Sequence, residues 1–188
     1  MKIILASASE RRQELLSRII KNFIIKVSDF DEEQVKLKSS VSQYVEDIAY
    51  GKAKDIESKV DEAVIIIAAD TIVTIDEKIL GKPKDKDDAF NTLKMLSGRW
   101  HTVYTSIVII NTSNKKVIKN TLPTEVKFSD LTEDEIIKYI NTNEPLDKAG
   151  SYGIQGKGGV FVEEIRGCYY NVVGLSLNKL RQMLKEIV

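Results

Sequence analysis

The chain has 188 residues, of which 43% are hydrophobic and 30% charged, as in an ordinary globular protein. Its 28 basic and 28 acidic residues cancel, which argues against a nucleic-acid partner attracted by a general positive field. The lone cysteine, Cys168, excludes a disulfide within the chain, and together with a single histidine it argues against a zinc site.

The hydrophobic periodicity predicts a mixture of strands and helices. β-branched runs bounded by turn residues are typical of strands, and apolar residues spaced by three and four are typical of helices. In chain order the patterns predict strand 2–6, helix 10–20, strand 24–27, helix 42–59, strand 63–73, hairpin 74–80, helix 85–97, strands 102–110 and 117–128, helix 132–141, hairpin 160–173 and helix 176–187. This mixture favours a mixed-sheet α/β or α+β architecture.

Two further features concern the cellular setting. Apolar runs stay well short of a membrane span, and the apolar N-terminal stretch is too short for a secretion signal. A chain with one cysteine suits a reducing compartment. We therefore expect a cytoplasmic protein without a membrane partner.

The most apolar stretch of the chain contains a carboxylate, Asp70. Residues 63–73 are mostly β-branched or small, which predicts a strand buried on both faces. Burying a carboxylate there costs roughly several kcal/mol unless a cation, a metal or hydrogen-bond donors satisfy it. Asp70 is therefore either a strand-end acid bonded to backbone N–H groups or a catalytic or metal-binding acid.

The first predicted helix follows a strand directly and begins with polar residues. Ser7 and Glu10 have capping-box spacing, although Ser9 could equally cap the helix. A helix N-terminus offers free N–H donors, and two serines with Arg11 and Arg12 add hydroxyl and guanidinium donors that suit a polyphosphate. A surface cap with two solvated arginines explains the same residues.

Lysines and acids supply further candidates. Lys52 falls on the inward side of helix 42–59, although a lysine extending to the edge of the apolar stripe fits as well. Lys82, in Gly-Lys-Pro after the hairpin, could return towards Asp70. The acidic stretch around Glu32 is either an exposed loop or, with Asp70, a partner for Mg²⁺, which prefers hard oxygen ligands and substrate phosphates.

A glycine-rich segment and a histidine complete the survey. Glycines at 153, 156, 158 and 159 permit a close backbone approach to a ligand, and Gln155 can both donate to and accept from a nucleobase. A plain glycine-rich turn explains the same sequence. His101 has no accompanying serine or cysteine nucleophile motif, so we interpret it as a structural histidine.

Taken together, four segments resemble the Maf family of nucleoside triphosphate pyrophosphatases. They are Ser7–Arg12, Ala69–Thr71, Gly81–Pro83 and Asp147–Gly156. The order and spacing match from Ile3 to about Leu177. The resemblance implies a single Maf-like domain over 1–188, with a mixed twisted sheet flanked by helices and two lobes around a deep cleft, as in inosine triphosphate pyrophosphatases. It also implies a homodimer.

The resemblance further implies cleavage of a nucleoside triphosphate between its α- and β-phosphates. Catalysis and metal binding would fall to Glu32 and Asp70, with Mg²⁺ as the cofactor and Mn²⁺ or Co²⁺ as alternatives. Glu32 is chosen because Asp29–Glu32 resembles the family's Asp-x-Asp-Glu signature, although Glu33 leaves the register open. The residues expected to bind substrate are Ser9, Arg11, Arg12, Lys52, Thr71, Lys82 and Gln155.

Subgroups of the family differ in substrate. The subgroup acting on dTTP and UTP has arginine, threonine and glutamine where this chain has Arg11, Thr71 and Gln155, whereas the 7-methyl-GTP subgroup has tryptophan in place of the first arginine. The chain departs from the family at Glu10, usually proline, and at Ala69, usually glycine. Two other functions stay open: a nucleotide-binding regulator of cell division with little turnover, and a phosphatase that removes the terminal phosphate.

Overall fold

The computed structural model describes residues 1–37 and 39–187. Within these residues the strands are β1 Lys2–Leu5, β2 Ile24–Ile25, β3 Val64–Ile75, β4 Lys78–Leu80, β5 Trp100–Asn111, β6 Lys116–Phe128 and β7 Val162–Arg166. The α-helices are α1 Glu10–Ser17, α2 Val41–Glu57, α3 Lys86–Leu96, α4 Glu133–Ile140, α5 Tyr169–Val173 and α6 Leu177–Glu186. Short 3₁₀ helices cover Glu32–Gln34, Glu144–Asp147, Ala149–Ser151 and Lys157–Phe161.

The strands form a seven-stranded sheet in the order β2-β1-β3-β5-β6-β7, with β4 paired to β3. Strand β1 is parallel to both of its neighbours, so that Ile4 lies opposite Ile24 on one side and Ile66 on the other. Strand β4 is antiparallel to β3, and β7 is antiparallel to β6. Parallel and antiparallel pairs in one sheet flanked by helices confirm the predicted mixed α/β fold.

The chain divides into two compact units. The first unit consists of Met1–Asp70, Thr105–Leu122 and Gly174–Val188, and the second consists of Thr71–Tyr104 and Pro123–Val173. Each unit has its own buried apolar cluster. In the first, alanines of α2 pack with Ile4 of β1 and Ile66 of β3. In the second, Phe128 packs with Leu93 of α3 and Tyr139 of α4.

Helix α2 of the first unit places Lys52 on its buried face. Ser40 caps the helix, because its side chain accepts the N–H of Gln43 at 3.2 Å. Ile48 and Ile56, one turn before and one turn after Lys52, are each buried. The Lys52 side chain is 15% exposed, so the prediction that it lies on the inward side is confirmed.

Helix α1 begins at Glu10 as predicted but ends earlier than the predicted residue 20. Ser9 is its N-cap and accepts the N–H of Arg12, so Ser7 and Glu10 do not form the capping box. The helix ends at Ser17 rather than near residue 20, because the N–H of Arg18 turns to the carbonyl of Leu15 and tightens the last turn. In α4, Thr132 and Glu135 have capping-box spacing in the sequence, and both hydrogen bonds of the capping box are present in the structure.

The hairpin predicted over residues 160–173 is wrong in its second half. Val162–Arg166 is strand β7, but Tyr169–Val173 is helix α5 and does not pair with it. Gly167 lies between them with φ +132°, and a Cβ there would come 2.9 Å from the Thr124 hydroxyl oxygen. The chain therefore turns at Gly167 as predicted, but continues into a helix.

Contacts with other strands explain why a helix replaces the expected strand. The Thr124 hydroxyl accepts the N–H of Cys168 at 3.2 Å and donates to the Cys168 carbonyl at 3.4 Å. The buried Asn171 amide donates to the Val103 carbonyl and to the Thr124 hydroxyl, each at 3.1 Å. These polar contacts are formed by a helical turn and outweigh the strand propensity of the tyrosines and valines.

His101 lies in the aromatic part of the second unit's core. It is 3% exposed, and its Nε2 lies 2.8 Å from the hydroxyl oxygen of Tyr152. Its ring meets the ring of Phe128 edge to face, with centroids 5.0 Å apart. Desolvation by burial lowers the pKa of His101 to about 4, so the folded protein holds it neutral. The structural interpretation of this histidine agrees with its position.

Burial of His101 predicts a loss of stability in mild acid. Because the unfolded chain protonates this histidine first, the contribution of His101 to the free energy of unfolding should fall as the pH drops below about 6.5 and level off below about 4, by about 3 kcal/mol in total. Urea denaturation across this pH range measures the effect. His101→Gln, which does not titrate, should flatten the profile in this window, and an unchanged slope in that variant would contradict the assignment.

Candidate active site

A buried ion pair forms the centre of the candidate site in the first unit. Asp70 lies on β3 and is 7% exposed. Its Oδ1 lies 2.7 Å from the Nζ of Lys52 on α2. The Oε1 of Glu32, at the start of the first 3₁₀ helix, lies 2.7 Å from the same nitrogen. One ammonium group therefore joins two carboxylates, which explains how an acid is accommodated in the most apolar stretch of the chain.

Burial and the neighbouring charges have opposing effects on the pKa of Asp70. Desolvation raises the pKa of the Asp70 carboxyl group above its ordinary value, and the nearby Glu32 acts in the same direction. Lys52, through its charge and its hydrogen bond, and Arg12, through its charge, favour the ionised form. Asp70 is thus a carboxylate whose proton affinity is raised by its surroundings and moderated by two cations, as a proton acceptor requires.

Helix α1 positions Arg12 beside this ion pair. The Nε of Arg12 donates to the Gly174 carbonyl at 3.0 Å, and its Nη1 donates to the Ser7 hydroxyl at 3.4 Å. Desolvation lowers the pKa of Arg12, as does the charge of Arg11, while Asp70 and Glu32 raise it. These two hydrogen bonds, to a backbone carbonyl and to a hydroxyl, fix the position of the Arg12 guanidinium group in the first unit.

Ser9 and Arg11 lie at the same end of α1. The Ser9 side chain caps the helix, and the backbone N–H of Ser9 donates to the Ser7 hydroxyl at 3.2 Å. Arg11 is partly buried, and Glu10, which replaces the family's usual proline, is exposed. The first unit thus brings together six of the residues proposed for the site: Ser9, Arg11, Arg12, Glu32, Lys52 and Asp70.

The remaining candidates belong to the second unit. Thr71 follows Asp70 on β3 and is partly buried, whereas Lys82 and Gln155 are exposed. The carbonyl of Gly81, beside Lys82, accepts the N–H of Gly150 at 3.1 Å. This bond fixes the backbone next to Lys82 against the segment that precedes the glycine-rich loop. The roles of Thr71, Lys82 and Gln155 stay predictions.

The side chain of Glu144 fixes the loop that carries Gln155 through hydrogen bonds. The Oε1 of Glu144 accepts the Tyr139 hydroxyl at 2.9 Å and the N–H of Gly158 at 3.1 Å, and its Oε2 accepts the N–H of Lys157 at 2.9 Å. Burial alone would raise the pKa of Glu144, but these donors outweigh it and leave the pKa lowered. A Cβ on Gly156 would lie 2.5 Å from both carboxylate oxygens.

The glycines of this loop are therefore explained by contacts within the protein. A Cβ on Gly158 would lie 2.6 Å from the Tyr139 hydroxyl oxygen, and one on Gly159 would lie 2.6 Å from the Ile154 carbonyl oxygen. Sequence analysis did not identify Glu144, because a glutamate in an irregular segment gives no local signal of its partners. Gly156 and Gly158 thus allow the loop backbone to approach the side chains of Glu144 and Tyr139 closely. The side chain of Gln155 is exposed.

The comparisons with known proteins agree with this arrangement. The family model described as "Maf-like protein" matches residues 2–187. The chain belongs to the Maf family. It is 65% identical to the dTTP/UTP pyrophosphatase of Clostridium botulinum (strain Eklund 17B / Type B) over 188 residues, covering 100% of both chains. It is also 65% identical to the dTTP/UTP pyrophosphatase of Clostridium beijerinckii over 187 residues, again covering 100% of both.

The fold of the chain is similar to that of a solved structure. A HAM1 protein from Coxiella burnetii superposes with a TM-score of 0.51 at 14% identity, covering 99% of both chains. At this identity the likeness concerns the fold alone. In residues 1–37 and 39–187 of this Maf protein, no helix has both the length and the apolar character needed to cross a bilayer.

A divalent metal fits the two carboxylates only as part of a larger complex. Among the described residues, no group of three or more acidic, histidine or cysteine side chains could hold a metal ion by itself. Mg²⁺ is commonly bound by one or two carboxylates, with waters and substrate phosphates completing its shell. Asp70 and Glu32, both bonded to one ammonium group, match that sparse protein contribution.

Removing Lys52 should show how strongly Asp70 depends on it. Lys52→Met leaves a buried carboxylate without its closest cation and should lower the free energy of unfolding by about 3–5 kcal/mol. In the background of Asp70→Asn, which carries no charge, the same change should cost about 2 kcal/mol or less. Urea denaturation of the two single variants and the double variant gives the coupling energy. Equal losses in both backgrounds would show that the two residues are not coupled.

Replacing the Glu144 carboxylate should destabilise the loop that carries Gln155. In Glu144→Gln an NH₂ group replaces one acceptor that faces backbone N–H donors, so unfolding should become easier by about 1–3 kcal/mol. Amide hydrogen exchange at Lys157 and Gly158 should become faster. The matched control is Glu133→Gln in the first turn of α4, which loses only an exposed ion pair with Lys94 and should leave stability close to that of the wild type. Unchanged exchange at both amides would contradict the role given to Glu144.

Proposed function

We propose that this chain is a nucleoside triphosphate pyrophosphatase that hydrolyses dTTP and UTP to the monophosphate and pyrophosphate. Membership of the Maf family and the 65% identity to two proteins named dTTP/UTP pyrophosphatase support the proposal. The structural observation that supports it best is the buried Asp70, bonded to Lys52 beside Glu32 and within the electrostatic influence of Arg12. An acid held among cations suits the hydrolysis of a polyanion.

The start of α1 is assigned to the phosphates. Its N-terminal N–H groups and positive dipole end favour anions, and Arg11 and Arg12 add two permanent positive charges. Arg12 is anchored by Gly174 and Ser7, so it meets the substrate with little loss of side-chain entropy. These groups would neutralise the charge that develops on the departing pyrophosphate.

Asp70 is assigned to the attacking water. It would accept a proton as the water oxygen bonds to the α-phosphorus, while the bond from that phosphorus to the bridging oxygen breaks and pyrophosphate departs. Lys52 keeps Asp70 ionised and fixed in orientation. Glu32 and Asp70 would hold Mg²⁺, or Mn²⁺ or Co²⁺ in its place, and the bound metal would supply Lewis-acid polarisation of the phosphate oxygens.

The second unit is assigned to substrate choice. Arg11 of the first unit, with Thr71 and Gln155, matches the pattern of the dTTP/UTP subgroup, and both relatives carry that substrate in their names. The amide of Gln155 can pair with both a carbonyl and an N–H on a pyrimidine edge. Lys82 adds a positive charge for the phosphates. A homodimer, a cytoplasmic location and the absence of a nucleic-acid partner remain predictions.

Product analysis tests the reaction directly. The purified protein incubated with dTTP or UTP and Mg²⁺ should release pyrophosphate and the monophosphate in equal amounts, as separated by anion-exchange chromatography. Diphosphate with orthophosphate would instead identify a terminal phosphatase. Intact nucleotide that stays bound would identify a regulator with little turnover.

Asp70→Asn is the control variant for this assay. Removing a general base should lower kcat by about 10²-fold or more. Circular dichroism and urea denaturation verify that the variant is folded. Full activity in a folded Asp70→Asn protein would exclude Asp70 as the proton acceptor.

A further inference from the structure

The ring of Phe30 lies directly on the backbone of α2. A Cβ added to Gly51 would lie 2.3 Å from the Cζ of Phe30 and 2.5 Å from its Cε1 and Cε2. Gly51 is in the interior of the helix and precedes Lys52. Glycine there costs about 0.5–1 kcal/mol relative to alanine. Its backbone is not among those with positive φ, so the space for the ring explains the glycine.

Other contacts fix the same segment along α2. The Asp55 carboxylate accepts the Ser28 hydroxyl and the N–H of Asp29, each at 2.9 Å. It also accepts the ammonium group of Lys59 at 2.8 Å. Residues 51 and 55 are four positions apart within α2, so they lie on one face of the helix, and Lys59 follows just after its end. The segment from Ser28 to Phe30 therefore packs along this face before the chain reaches Glu32.

Glu32 needs this support because its own ion pair is weak. Its side chain is 52% exposed. An exposed ion pair contributes only about 0–1 kcal/mol, since it must also order two flexible side chains. The position of the Glu32 carboxylate beside Lys52 and Asp70 must therefore be determined mainly by the segment that carries it.

We propose that the Phe30–Gly51 contact positions Glu32 at the candidate active site, which makes Phe30 and Gly51 positioning residues. The inference rests on the proposed function, since it assigns a purpose to the location of Glu32. A contact that only packs the helix predicts a different outcome: Gly51→Ala would then disturb the local packing of the Phe30 ring without consequence for turnover.

The key experiment exchanges volume between the two residues. Gly51→Ala places a methyl group where the distal ring atoms lie, and Phe30→Leu removes those three atoms. In Gly51→Ala, amide hydrogen exchange at Asp29 and Phe30 should accelerate by about tenfold or more. The kcat/KM for dTTP should fall by about tenfold or more because the carboxylate is misplaced. The helix propensity gained by alanine should offset the lost packing, so the midpoint of urea denaturation should change little.

The double variant Gly51→Ala/Phe30→Leu should restore both readouts to within about threefold of the wild type, because the methyl group occupies the space that leucine vacates. Such rescue distinguishes positioning from a general loss of stability. Phe30→Leu alone adds no atoms to the helix, so it is informative even if Gly51→Ala does not fold. It should accelerate exchange and lower kcat/KM.

Two results would overturn the inference. The first is wild-type exchange at Asp29 and Phe30 in folded Gly51→Ala or in Phe30→Leu. The second is accelerated exchange with unchanged kcat/KM. Failure of the proposed function would be recognised separately, by the absence of pyrophosphate release from the wild type, and the exchange measurements would still decide whether the Phe30–Gly51 contact fixes the segment.

Discussion

The pairing of Lys52 with Asp70 is the interaction on which the candidate site depends. A carboxylate within an apolar strand is costly unless a cation, a metal or hydrogen-bond donors satisfy it, and here Lys52 provides a cation at 2.7 Å. Lys52 can reach Asp70 because the buried side of α2 packs against β3 next to Asp70. The same ammonium group also lies 2.7 Å from the Glu32 carboxylate. Strand β3 and helix α2 thus each supply one member of a buried ion pair. Arg12 and Glu32 lie beside that pair.

Much of this could be predicted from local patterns. The β-branched run around Asp70 identified both the central strand and its unusual acid, and the four-residue spacing from Ile48 identified the inward lysine. Both signals are strong because they depend on one element at a time. The capping residues Ser40 and Thr132 are equally local, and the second was recognised from its spacing alone.

What sequence analysis missed depends on partners distant in the chain. Residues 169–173 have the composition of a strand, yet in the structure they form a helical turn whose neighbouring polar groups bond to Thr124 and Val103. Glu144 lacks a recognisable motif, because its three donors come from a tyrosine five residues before it and from a loop 13 residues or more after it. Gly51 resembles an ordinary weak point in a helix until the ring that covers it is known. In each case tertiary contacts decide the outcome.

The bond between Arg12 and the Gly174 carbonyl joins residues 162 positions apart. A ribosome that has made the first helix has not yet made the oxygen that holds its guanidinium group, and the intervening chain includes all of the second unit. Contacts between such distant residues require a large loop-closure entropy and form late. The contact that orients the Arg12 guanidinium group is therefore completed only after the second unit has been synthesised, so a nascent chain that stops short of Gly174 lacks it.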